Sequence, residues 1–181
     1  VFNHTGREFF AFRDIREHGS SSPYIGWYKG ISFDWRSPLG DAFGYEAWRG
    51  VWELPCLNLQ NPQVKEYLKD VIRFWISEFD IDGIRLDCAN VLDFQFMREL
   101  RLLAEEVKPD FWLMGEVIHG EYGRWVNSEM LHSVTNYEMH KSIYSAHNDH
   151  NYFELAHNVR RLQAIGRSLY TFLDNHDEED R

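Results

Sequence analysis

Cysteine is scarce in this chain of 181 residues, with only Cys56 and Cys88 present. Neither belongs to a C-x-x-C or Cys/His spacing, so a structural zinc motif and a dithiol redox motif are both excluded. Two thiols do not report the redox compartment. Both are expected to be reduced and structural. The compartment is left unknown, with the cytoplasm slightly favoured. Positive charge is also short. Nineteen Lys and Arg stand against 29 Asp and Glu, a formal net charge of −10. No basic stripe is left to replace phosphate counterions, which argues against a nucleic-acid partner and for a neutral substrate. No apolar run approaches the roughly 20 residues of a membrane span, so no membrane partner is expected. No charged, apolar, small-residue leader opens the chain, although Val1 is not an initiator Met and starts mid-element. An internal repeat is not evident.

Aromatic residues are abundant at 16%. Trp and Tyr stack on the apolar faces of sugar rings, and they also fill cores. Trp27, Tyr28, Trp35, Tyr45, Trp48 and Trp52 lie in a Gly- and Ser-rich stretch from Thr5 to Trp52 that reads as an irregular excursion. One or two of them are expected to touch a substrate. Order then returns. Asn61 before Pro62 reads as a helix start, and Val64, Leu68, Val71, Ile72, Trp75 and Phe79 follow at helical spacing as one apolar stripe.

A strand is predicted from Ile81 to Asp87, with Ile84 and Leu86 on one face and Arg85 and Asp87 on the other. An amphipathic helix carrying Met97, Leu100, Leu103, Ala104 and Val107 stops before Pro109. Further strands are predicted over Phe111–Met114, Leu131–Asn136 and Leu169–Leu173, with a helix near Tyr152–Ile165 closed by Gly166. This alternation predicts an α/β fold with a parallel sheet.

Three carboxylates follow strand-like runs: Asp87, Glu116 and Asp177. In a barrel of parallel strands such positions converge on one mouth. Glycosidic cleavage needs that convergence, because one carboxylate attacks the sugar carbon, a protonated carboxyl serves the leaving oxygen, and further negative charge stabilises the oxocarbenium-like transition state. Each residue also has a plainer reading. Arg85 and Asp87 suit a buried ion pair, Glu116 a helix start, Asp177 a turn, and His4 an exposed terminus.

Several motifs in order resemble the α-amylase family of glycoside hydrolases, and among its branches the neopullulanases, cyclomaltodextrinases and maltogenic amylases. They are Val1 to His4, Leu54 to Asn58, Asp82 to Asn90, Gly115 to Val117 and Phe172 to Asp177. The resemblance implies a partial (β/α)8 TIM barrel from the end of strand 3 to the end of strand 7. Residues 1–4 would end strand 3, residues 5–58 would form the inserted loop domain, and residues 59–181 would carry strands 4 to 7. It also implies a retaining hydrolase of α-1,4, and by extension α-1,6, glucosidic bonds in starch-derived oligosaccharides, cyclodextrins or pullulan. A glucanotransferase, an α-glucosidase and a non-catalytic carbohydrate-binding relative are the alternatives.

On the family pattern Asp87 becomes the nucleophile, Glu116 the general acid/base and Asp177 the transition-state stabiliser. Arg85 becomes the cation beside the nucleophile, and His4 and His176 become sugar partners. Asn90, His119 and Tyr137 join them as candidate cleft residues. Asn3 matches a calcium-binding position; no cofactor is otherwise required. Asn90-Val91 and Ile118 depart from common family residues at positions that shape leaving-group subsites, which leaves linkage preference open. A full barrel takes about 250 residues, so the chain reads as a piece of a larger enzyme whose open sheet edges need cover, from a homo-oligomer or from further chain.

Overall fold

The computed structural model describes residues 2–177, which fall into two compact bodies. Of these, residues 2–80 with 91–96 form the first, and residues 81–90 with 97–177 the second. None of the helices among the described residues is long and apolar enough to cross a membrane.

In the first body, α1 (Phe10–His18) buries Ala11, Phe12 and Ile15. Phe12 meets Tyr28, Phe43 and Tyr45 at ring-centroid distances of 5.1, 5.6 and 4.9 Å. The stretch expected to be irregular therefore has a helix and an aromatic core of its own. This corrects the substrate-platform expectation for Trp27, Tyr28 and Tyr45, which are all buried. Trp35 is 43% exposed and lies directly over Gly44, where a Cβ would come within 1.8 Å of the indole.

Strands β1 (Ala47–Trp48) and β2 (Val51–Pro55) form an antiparallel hairpin. Its turn residues Arg49 and Gly50 both take positive φ, 49° and 79°, the left-handed geometry that matches strand twist in two-residue hairpins. Helix α2 (Pro62–Phe79) starts where expected. The Asn61 side chain accepts a hydrogen bond from the Gln63 N–H, Pro62 occupies the first turn, and Val64, Leu68 and Ile72 are buried.

The second body holds β3 (Gly83–Leu86), β4 (Trp112–Gly115), β5 (Ser133–Thr135) and β6 (Leu169–Tyr170) as one parallel sheet in that spatial order. Helix α3 (Phe94–Val107) connects β3 to β4 in the chain, while α4 (Tyr137–Asn148) and α5 (Tyr152–Arg161) connect β5 to β6. Sequential strands lying side by side with helical crossovers form an arc of a β/α barrel. Register fixes the strand ends: Leu86 pairs with Gly115, Gly115 with Val134, and Thr135 with Tyr170. Close packing fixes them further. A Cβ on Gly115 would lie 2.5 Å from Leu131 Cδ1 and 2.8 Å from Ala89 Cβ, a separation that normal packing does not tolerate.

In the second body two elements differ from expectation. Helix α4 occupies a stretch to which the sequence assigned no element, with Asn136 accepting from the Met139 N–H as its cap. Helix α5 ends at Arg161 rather than near Ile165, and Gly166 opens a short 3-10 turn, Gly166–Ser168.

Candidate active site

The ladder between β3 and β4 continues past the strands, with the Glu116 N–H donating to the Leu86 carbonyl at 2.8 Å. Asp87 and Glu116, each the first residue beyond its strand, are thereby brought to the same end of adjacent strands. Arg85, one strand position before Leu86, points its fork at both. Its Nη1 lies 3.0 Å from Asp87 Oδ1 and its Nη2 3.2 Å from Glu116 Oε1. One planar guanidinium bridging two carboxylates supplies charge and fixed geometry together.

Glu116 is 8% exposed. Its Oε2 accepts from the Cys88 backbone N–H at 2.9 Å, and its Oε1 from the Tyr137 hydroxyl at 3.4 Å. Burial by itself raises the pKa of Asp87. The Cys88 thiol at 3.2 Å, the hydrogen bond and charge of Arg85, and a hydrogen bond with Glu116 outweigh it and hold the carboxyl below its ordinary value. An ionised carboxylate beside a buried one is the arrangement that separates nucleophile from acid in glycosidases.

Cys88 did not emerge from the sequence as a site residue. It adopts φ 51°, and this left-handed turn places its N–H on Glu116 while its thiol turns to Asp87. No sequence signal marks that conformation at a cysteine. Ligand atoms of Asp87, Cys88 and Glu116 lie within 4.8 Å of one another, yet both carboxylates already bind the Arg85 cation, so the set is not read as a metal centre. For Asn3 the structure gives a buried side chain whose Nδ2 is 3.3 Å from His4 Nδ1. Calcium needs about six to eight oxygens, and nothing below is routed through it.

The third carboxylate follows β6. Asn175 Nδ2 donates to the Tyr137 hydroxyl at 2.9 Å, and Asn175 Oδ1 accepts from the Asp177 N–H at 2.9 Å. His176 Nε2 lies 3.3 Å from Asp177 Oδ2, with both side chains exposed, at 69% and 49%. Tyr137 has its pKa raised, first by burial and then by the charges of Glu116 and Asp177, against the opposing pull of Asn175 and Arg85. Asp177 thus acts electrostatically on the same phenol that touches Glu116.

Over residues 1–180 the chain matches the family model described as alpha amylase, catalytic domain. The chain belongs to the α-amylase family. Among α-amylase family members it is 33% identical over 187 residues to a cyclomaltodextrinase of Thermoanaerobacter pseudethanolicus, covering 99% of this chain and 32% of that protein. It is 37% identical over 188 residues to neopullulanase 2 of Thermoactinomyces vulgaris, covering 99% and 31%. Among solved structures, the cyclic α-maltosyl-(1→6)-maltose hydrolase of Arthrobacter globiformis in complex with maltose superposes with a TM-score of 0.87 at 28% identity, covering 98% of this chain and 41% of that one. The chain spans about a third of the length of these curated relatives. The partial barrel is accordingly an arc of the family's catalytic barrel.

The remaining candidates are placed as follows. Asn90 is exposed in the short turn Ala89–Val91, and His119 is exposed past β4. Among the described residues, neither is joined to Asp87, Glu116 or Asp177 by a hydrogen bond. Tyr137 is 6% exposed, so its hydroxyl serves Glu116 and Asn175 rather than open solvent. His4 belongs to the first body, where its ring stacks on Trp48 at 5.9 Å and its backbone bridges Cys56. Thr135, also unmarked in the sequence, accepts from the Val117 N–H at 3.0 Å and so fixes the chain just beyond Glu116.

Proposed function

We propose that the longer protein containing this chain is a retaining α-glucan hydrolase acting on α-1,4 and also α-1,6 glucosidic bonds. The observation that carries the reading is the Arg85 bridge, in which one guanidinium reaches Asp87 Oδ1 at 3.0 Å and Glu116 Oε1 at 3.2 Å and so holds the two carboxyl groups as close neighbours. Retaining glycosidases keep their two carboxyl groups about 5 to 5.5 Å apart, whereas inverting ones need about 6.5 to 9.5 Å to admit a water. Two carboxyl groups held on one guanidinium favour direct attack by Asp87 over a water placed between them.

In the first step Asp87 attacks the anomeric carbon while Glu116 gives its proton to the leaving oxygen, forming a glucosyl ester. Glu116, now a carboxylate, takes a proton from water, whose oxygen attacks the same carbon and releases Asp87. Both steps pass through oxocarbenium-like charge, which Asp177 stabilises. Arg85 keeps Asp87 anionic between turnovers. The α-1,6 arm rests on likeness to the cyclic α-maltosyl-(1→6)-maltose hydrolase.

Glu116→Gln in the full-length protein is expected to abolish maltooligosaccharide cleavage, and the wild type is expected to release product first as the α-anomer by proton NMR. Undiminished cleavage by the variant, or a β-anomer as first product, overturns the reading.

A further inference from the structure

We propose that Tyr137 is a positioning residue for the general acid, the middle link of a hydrogen-bonded chain that ties Glu116 to the turn bearing Asp177. This rests on the retaining-hydrolase reading and adds to it a part for a side chain that the sequence suggested only as a cleft wall.

Tyr137 is the first residue of α4, immediately after the cap Asn136. That cap is itself pinned, because its Oδ1 accepts from the Met139 N–H at 3.1 Å and its Nδ2 donates to Thr171 Oγ1 at 3.3 Å. The Tyr137 ring packs edge-on against Phe172 at 5.0 Å. Backbone and ring are thus set by β5, α4 and the segment after β6, and the hydroxyl has little freedom left.

A phenol has one proton to give. Asn175 Nδ2 occupies an acceptor site on the Tyr137 oxygen at 2.9 Å, which directs that proton toward Glu116 Oε1 at 3.4 Å. The other oxygen of Glu116 is held by the Cys88 N–H. Fixing a carboxyl at both oxygens sets the plane in which it meets a leaving group, and rate is sensitive to that orientation. The same Asn175 holds the Asp177 N–H through its Oδ1. Movement of the Asp177 turn is therefore transmitted to the acid through two side chains. Burial and the neighbouring carboxylates keep the phenol protonated, as a donor must be.

The test uses leaving-group chemistry in the full-length protein. Cleavage of an unactivated maltooligosaccharide depends on protonation of the leaving oxygen, whereas a nitrophenyl α-maltoside needs little acid assistance. For Tyr137→Phe we expect kcat on the oligosaccharide to fall about 10- to 100-fold with KM changed less than about twofold, while cleavage of the nitrophenyl substrate falls less than about threefold. Asn175→Ala is expected to show the same selective loss, and the double variant no more than the larger single effect. This second variant carries the test if the first does not fold. Equal losses on both substrates, a rise in KM alone, additive effects, or no loss at all each overturn the proposal. A wild type that cleaves neither substrate removes the hydrolase reading instead, and that outcome is visible before any variant is measured.

Discussion

Removing the Arg85 guanidinium is the perturbation with the most direct consequence. Arg85 lies 3.0 Å from Asp87, with side chains 30% and 27% exposed. At an effective dielectric of about 20, a unit-charge pair at that distance is worth about 5 kcal/mol. Solvent at the partly open mouth screens part of this, and Asp beside Arg commonly has its pKa lowered by about 1 to 3 units. Arg85→Ala should therefore raise the Asp87 pKa, leaving that carboxyl protonated to higher pH and the enzyme weakest on the acid side.

The sign follows from the direction already present. Asp87 titrates below its ordinary value in the native site, so the acid limb of kcat/KM in the wild type should lie below the ordinary carboxylate range. In Arg85→Ala it should move upward, and Arg85→Lys should fall between because an ammonium keeps charge without the fork. The assay is kcat/KM on maltotriose from acid to neutral pH with the full-length protein. An acid limb that stays in place in Arg85→Ala would refute the claim that this cation keeps the nucleophile ionised.

Three other outcomes are expected. Gly115→Ala should destabilise the full-length protein by about 1 to 3 kcal/mol in thermal unfolding, because the new Cβ meets Leu131 and Ala89; an unchanged melting temperature contradicts the packing. Thr135→Val leaves the buried Val117 N–H without its acceptor and should cost about 1 to 3 kcal/mol, read by denaturant midpoint, where an unshifted midpoint contradicts it. Cys88→Ala removes the thiol donor to Asp87 and should raise the acid limb of kcat/KM by less than Arg85→Ala does; a larger rise would displace Arg85 as the main support.

Much of the site could be read from the chain because strand-end chemistry is local. Arg85 and Asp87 share a strand face by period-two alternation, and Glu116 follows Gly115, whose missing Cβ is what the packing requires. What was not legible depends on conformation or on partners far along the chain. The Arg49-Gly50 hairpin turn lacks the usual Asn-Gly or Asp-Gly signal. Helix α4 has a weakly periodic sequence, and its cap is recognisable only once Asn136 is seen folding back to Met139. The aromatic-rich stretch could have served core or substrate equally, and the choice fell to the core because Phe12 of α1 packs against Tyr28 and Tyr45 while Phe10 and Tyr67 pack against Trp27. Tyr137 was visible as a residue after a strand, but its role depends on Asn175, 38 positions later.

The claim that Asp87 and Glu116 divide the work between attack and proton transfer is met most directly by trapping the intermediate. Incubating the full-length protein with a fluorinated α-glucosyl fluoride, then digesting it and mapping peptides by mass spectrometry, should place the sugar adduct on Asp87. An adduct on Glu116 or Asp177, or turnover of the reagent with inverted product and no adduct, would contradict it.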